Sequence, residues 1–174
     1  YLSRIKRELE AGDSTEHTHR PALKDLIESL GTDITAVNEP KREACGAPDF
    51  VVKKRDLSIG YIEAKDVGKS LDEAEDSDQL ERYKKSLHNL ILTDYLEFRW
   101  YVDGEPRGKT RLAKHGRDNK IVLDKDGIEE TINILSDFLS HSPAPITNPK
   151  ELSQRLARLA HIIRDIVIEA FNQG

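Results

Sequence analysis

The stretch Ile59-Gly-Tyr-Ile-Glu-Ala-Lys65, taken with Ala47-Pro-Asp-Phe-Val-Val52 just upstream, decides how the rest of the chain is read. Both segments carry β-branched and aromatic residues bounded by turn-formers: Gly46 and Pro48 before the first, Asp56 between them, Asp66 and Gly68 after the second. The loop at 53–56 is short, so the two segments are expected to pair as a hairpin. Side chains alternate faces along a strand. Glu63 and Lys65 therefore project from one face and Ala64 from the other, with Asp49 at the start of the neighbouring strand, in reach of the first face. Two carboxylates and an ammonium at adjacent strand ends make a hard-oxygen cation site with a cation beside it.

Such a set suits phosphodiester hydrolysis. A divalent cation on Asp49, Glu63 and the Ala64 carbonyl could polarise a phosphoryl oxygen and bind the attacking water. Lys65 would orient or deprotonate that water, or offset charge building on the phosphate. The plain alternative is a solvated strand with an ordinary Glu63–Lys65 ion pair of little worth. Downstream, Gln79-Leu-Glu-Arg-Tyr83 sets Gln79 and Tyr83 four apart, on one helix face; the alternative there is an amphipathic helix with a half-buried tyrosine.

Pro48-Asp49, thirteen intervening residues and Glu63-Ala64-Lys65 resemble the PD-(D/E)xK nuclease motif. Many such nucleases carry a Q-x-x-x-Y helix right after the catalytic strand, where Gln79 and Tyr83 stand here. The run from Glu63 to Tyr83 resembles the amino-terminal nuclease domain of fused restriction–modification enzymes. In those, the nuclease precedes an adenine-N6 methyltransferase, sometimes with a helicase-like motor between. The resemblance spans roughly Glu16 to Trp100 and, faintly, the last helix. It implies a restriction-endonuclease-like core, Mg²⁺ with Mn²⁺ as a substitute, and double-stranded DNA as partner. It also implies methyltransferase and motor domains downstream in the same longer chain. By the same resemblance Asp49, Glu63 and Lys65 are catalytic, Gln79 and Tyr83 support them, and a glutamate on the first core helix completes the acidic site. Glu16 is the candidate for that glutamate; Glu43, in the loop 39–43, is a second.

At 174 residues, 37% hydrophobic and 34% charged, the chain has enough apolar content for one core. No apolar run reaches transmembrane length and no signal-peptide pattern opens the chain. A single cysteine, Cys45, excludes an intrachain disulfide and fits a reducing, cytoplasmic setting. Cys45 is read as a small buried residue rather than a nucleophile, since no base or helix start lies beside it. The chain opens on Tyr1 and contains no methionine, so it is read as part of something longer. The net charge of −5 argues against a free-standing DNA binder, whose affinity would rest on phosphate contacts. It is compatible with a module that cuts while other domains grip. The acidic surplus crowds Asp72 to Glu81, near the start of the Gln79 helix and its positive dipole end.

Along the chain, residues 2–11 are expected to form a helix ending at Gly12. A second helix, starting between Thr15 and His19, runs to Gly31 with Pro21 in its first turn. His17 and His19 are read as exposed, near DNA phosphates together with Arg20 if not simply solvated. Strands are expected at 34–37, 90–93 and 95–102, a helix at 75–88, and a turn at Asp103-Gly104. In the strand at 95–102 Glu97, Arg99 and Tyr101 are assigned to a half-exposed face, and Trp100 to the core. Residues 107–120 form the one strongly basic window, either a ribbon along a phosphate backbone or a solvated edge hairpin. A short strand at 121–123 and a helix carrying Ile128, Ile132, Leu135 and Leu139 against the sheet complete the body.

The expected architecture is therefore α/β: a central mixed sheet of about five strands flanked by helices. Residues 1–141 form the nuclease domain, 142–148 a proline-rich linker, and 149–174 a connector helix toward a downstream domain. The expected function is a divalent-metal-dependent DNA endonuclease module of a restriction–modification enzyme. Its rivals are a repair or recombination nuclease of the same fold, either a junction resolvase or an exonuclease, and a non-catalytic interaction module.

Overall fold

In the computed structural model, the structure describes residues 1–12, 17–38, 48–116 and 120–141, with eight separate helical positions between 153 and 171. The hairpin quoted above lies inside the sheet. β2 (Phe50–Lys54) turns through Arg55, in the left-handed region at φ 56°, into β3 (Leu57–Ala64). β1 (Ile34–Asn38) pairs antiparallel on the outer side of β2. β4 (Asn89–Thr93) runs parallel to β3, because the chain between them crosses over through two helices. β5 (Glu97–Val102) and β6 (Glu105–Arg111) follow as a hairpin whose turn, Asp103-Gly104, has positive φ at both residues. The six strands lie in chain order, and β7 (Ala113–His115) with β8 (Ile121–Leu123) forms a separate ribbon.

Helices cover both faces. α1 (Leu2–Glu10), α2 (Arg20–Ser29) and α5 (Lys125–Ser140) pack on one side through Ile5, Leu23, Ile27, Leu135 and Phe138, against Phe50, Val52, Ile62, Ala64, Ile91 and Phe98. The other side holds α3 (Leu71–Glu75) and α4 (Asp78–Ser86), whose Leu71, Ala74, Leu80 and Tyr83 meet Leu90, Leu92 and Tyr101. The expected sheet and flanking helices are thus present, with six strands where about five were expected.

Several expectations need correction. The helix assigned to 75–88 is α4, which starts at Asp78 because Ser77 leaves helical geometry and its side chain accepts the Leu80 N–H; a further short helix, α3, precedes it and was not expected. α2 begins at Arg20, with Pro21 in its first turn as expected. β5 is buried on both faces rather than half-exposed. Glu97 and Arg99 satisfy each other at 2.7 Å, and Arg99 also reaches Asp72 and Glu75 on α3, both at 2.6 Å. The inner face of α5 is Thr131, Leu135, Phe138 and Leu139, while Ile128 and Ile132 point outward at 40% and 48% exposure. His19 is buried, not exposed, and its ring bonds Glu8 at 2.9 Å. Glu16, Glu43, Cys45, Arg117 and the linker 142–148 lie outside the described residues, as does most of the connector segment. Among the described residues no helix is long and apolar enough to cross a membrane.

Gly60 in mid-strand has a packing cause. A Cβ there would lie 2.5 Å from the Phe138 ring, so the missing side chain is what admits α5 to the sheet. Asn89 secures the same junction, donating to Ile59 O at 2.8 Å and Phe138 O at 3.0 Å and accepting Trp100 Nε1–H at 2.7 Å. Phe138 is fully buried. Phe138→Ala is expected to cost about 3–5 kcal/mol in a urea titration; a loss under about 1 kcal/mol would contradict this packing.

Candidate active site

β2 and β3 pair with Phe50 opposite Ile62 and Val51 opposite Tyr61. Continuing that register by one residue sets Asp49 opposite Glu63, where the strands reach the sheet's end. The Ala64 N–H donates to Asp49 Oδ2 at 2.8 Å, which fixes the aspartate across the strand gap. The two carboxylates sense each other. Burial first, and then the Asp49 charge, pushes the Glu63 carboxyl up to about 7, although the Lys65 ammonium and the Asp49 backbone N–H pull it the other way.

Lys65 Nζ stands 2.6 Å from Glu63 Oε1, with the Glu63 side chain almost wholly buried. On its other side Lys65 Nζ reaches Gln79 Oε1 at 3.4 Å, and Gln79 Nε2 donates to Tyr83 Oη at 3.1 Å. The i, i+4 spacing on α4 thus becomes a short hydrogen-bonded chain, Tyr83–Gln79–Lys65–Glu63. The structure brings together Asp49, Glu63, Ala64, Lys65, Gln79 and Tyr83. Glu16 falls outside the described residues.

Sequence reasoning missed what stands behind Asp49. Arg20, in the first turn of α2 and only 4% exposed, donates from Nη2 to Asp49 Oδ1 and from Nη1 to Asn38 Oδ1 at 3.3 Å. The buried Tyr95 hydroxyl lies against the same pair. Its pKa is raised by burial and then by the Asp49 charge, and drawn back by Arg20. No periodicity or motif marks Arg20; the signal lay only in its place beside Pro21 at a helix start.

The donor set can be judged by its chemistry. Two carboxylates and a main-chain carbonyl are hard oxygen ligands, and they leave room for water or phosphate oxygens around an ion of the Mg²⁺ type. Among the described residues no group of three or more His, Cys, Asp or Glu side chains converges, which disfavours a closed zinc-type cage. Even with Lys65 beside it, burial and then the Asp49 charge leave the Glu63 carboxyl raised, so a further positive charge there would be accommodated. The site therefore fits such an ion.

Charge continues along the same sheet face. Glu63, Leu92, Arg99 and Lys109 are lateral partners across β3, β4, β5 and β6. Buried Glu97 is held below the ordinary carboxylate range: its own burial opposes this, but Arg111 and Arg99 outweigh it. A cleft of about 340 Å³ opens there, with Lys69, Asp94, Glu97, Arg111, Lys114 and His115 on its walls.

Comparison with known proteins agrees on the fold. The chain is similar to a cryo-electron-microscopy structure of a DrdV–DNA complex, with a TM-score of 0.61 and 20% identity over 82% of this chain. The architecture is restriction-endonuclease-like. This chain spans 13% of the length of that larger chain. No family model and no curated protein matches the sequence.

A pH test follows from Glu63. Its folded-state value lies above the ordinary 4.5, so its contribution to stability is complete below 4.5 and is lost as pH rises toward 7. Metal-free protein is expected to lose stability relative to Glu63→Gln between those values in paired urea titrations. Parallel pH profiles for the two proteins would show that Glu63 is not the group at strain.

Proposed function

We propose that the chain is the divalent-metal-dependent DNA endonuclease module of a restriction–modification enzyme, hydrolysing phosphodiester bonds by PD-(D/E)xK chemistry. The observation that carries this reading is the meeting of Asp49 and Glu63 at paired strand ends, with Lys65 on Glu63 and Gln79 on Lys65. An accidental D-x(n)-E-x-K pattern has no reason to converge in this way, nor to recruit the helix that the motif expects.

In this reading Asp49, Glu63 and the Ala64 carbonyl hold Mg²⁺, for which Mn²⁺ substitutes. When bound, that ion supplies Lewis-acid polarisation of a phosphoryl oxygen and acidifies a water. The chain's own groups do the rest. Lys65 presents its ammonium where negative charge develops, and Gln79 fixes the direction of that ammonium by accepting one of its protons. Tyr83, nearly buried, holds Gln79 in turn. Burial of Glu63 and Tyr83 keeps bulk water off this side of the site and strengthens each charge interaction within it.

Double-stranded DNA is the proposed substrate. The DrdV neighbour was captured with DNA; Lys109 and Arg111 lie on the sheet face that carries Glu63, and Lys114 and His115 of the separate ribbon line the adjoining cleft. Part of that basicity is spent on Glu97, which takes both Lys109 and Arg111. Together with the net charge of −5, this fits a module that cuts while other domains of a longer chain provide most of the grip. Methyltransferase and motor domains are proposed to supply that grip, in the cytoplasm.

Nicking of supercoiled plasmid tests the assignment. At high protein concentration with Mn²⁺, cleavage is expected that EDTA abolishes. Asp49→Ala and Lys65→Ala should each reduce it by at least about 10²-fold, the scale of losing one group that stabilises developing charge. Nicking that survives both substitutions would remove these residues from the chemistry.

A further inference from the structure

The proposed chemistry leaves one buried charge without a role. Arg20 sits behind Asp49, almost fully buried, and is gripped from several elements. Asn38 at the end of β1 accepts from it, and the Tyr95 hydroxyl lies against it. Tyr95 is itself held in a costly conformation. Its φ is 69°, in the left-handed region that bulky residues avoid. Thr93 Oγ1 accepts its N–H at 2.9 Å, and its carbonyl accepts the Tyr1 hydroxyl at 2.8 Å. A guanidinium held from several elements in this manner is a fixed charge beside Asp49.

We propose that Arg20 makes divalent-cation binding at Asp49 conditional on the arrival of a substrate phosphate. The inference rests on the nuclease reading above. With Arg20 on Asp49 and Lys65 on Glu63, each acid already has a cation beside it before any metal enters. A divalent ion entering that site meets a fixed neighbouring charge and leaves a net positive cluster. A phosphodiester beside it brings the compensating negative charge. Arg20 does not block the metal, because each carboxylate oxygen has a second lone pair. It weakens binding until the phosphate is present, so the chain does not hold a loaded metal centre in the absence of DNA. Lys65 cannot enforce this alone: it is more exposed than Arg20 and hangs on a flexible stem.

The test is Mn²⁺ affinity, read by calorimetry or by the electron paramagnetic resonance signal of free Mn²⁺, on the 174-residue chain without DNA. Arg20→Gln is expected to bind Mn²⁺ at least about tenfold more tightly than the parent, because a unit charge close to a divalent ion is removed. Arg20→Lys, which keeps the charge, is expected to stay near the parent value. Equal or weaker binding by a folded Arg20→Gln protein, judged by circular dichroism, would overturn the inference and mark Arg20 as a mere support for Asp49. Should Arg20→Gln fail to fold, the parent decides. Its Mn²⁺ affinity is expected to rise at least about tenfold on adding a saturating, uncleavable phosphorothioate duplex, and an unchanged affinity would overturn the inference. A different result separates the two proposals: Mn²⁺ binding that is absent throughout, or indifferent to Asp49→Asn, would refute the nuclease reading itself.

Discussion

The antiparallel register of β2 on β3 places the residue before Phe50 across from the residue after Ile62, and the chemistry of the site depends on that pairing. A slip of one residue would turn Glu63 and Lys65 to the face held by α2 and α5, and Ala64 to the face held by α4. Two features pin the register. Phe50 and Ile62, both fully buried, lock the apolar face beneath α2 and α5. Gly60 lets Phe138 press directly onto β3. The parallel strand β4 then closes the other side of β3, so the acidic pair sits on a strand held by neighbours along both edges.

Two buried glutamates on one sheet face differ in charge state because both their desolvation and their partners differ. Glu63 has one ammonium and one neighbouring carboxylate, and its carboxyl rises to about 7. Glu97 is as little exposed but is surrounded by Arg99, Arg111 and Lys109, and it stays ionised. Glu97 is thus a structural anion that ties α3 to β5 and β6 through Arg99. Glu63 keeps a raised carboxyl because Lys65 alone does not offset its burial and the Asp49 charge.

Much of this was legible in the sequence because it is local. Alternation along β3 fixed the faces of Glu63, Ala64 and Lys65, and the i, i+4 rule placed Gln79 and Tyr83 together. The errors arose where distant residues overrode a local pattern. Glu97, Arg99 and Tyr101 alternate like a solvated face, yet Asp72 and Glu75 arrive from α3 to bury them. Ile128 and Ile132 carry helical spacing, yet Thr131 and Phe138 face the sheet instead. The short helix α3 and the later start of α4 were hidden by good helix formers on both sides of Ser77, with only the serine cap to betray the boundary. Arg20 lay beyond local rules altogether, since its partners Asn38, Asp49 and Tyr95 are 18 to 75 residues away in the chain.

The central claim is that Asp49 and Glu63 share one divalent ion at the meeting of β2 and β3. Locating that ion on the polypeptide tests it most directly. Fe²⁺ loaded in place of Mg²⁺, with ascorbate and peroxide, generates radicals that cut the backbone next to the bound metal. Mass spectrometry of the fragments should place the scission beside Asp49 and within Glu63–Lys65, lost in Asp49→Asn and suppressed by excess Mg²⁺. Cuts elsewhere in the chain, or cuts at these strands that persist in Asp49→Asn, would contradict the shared site.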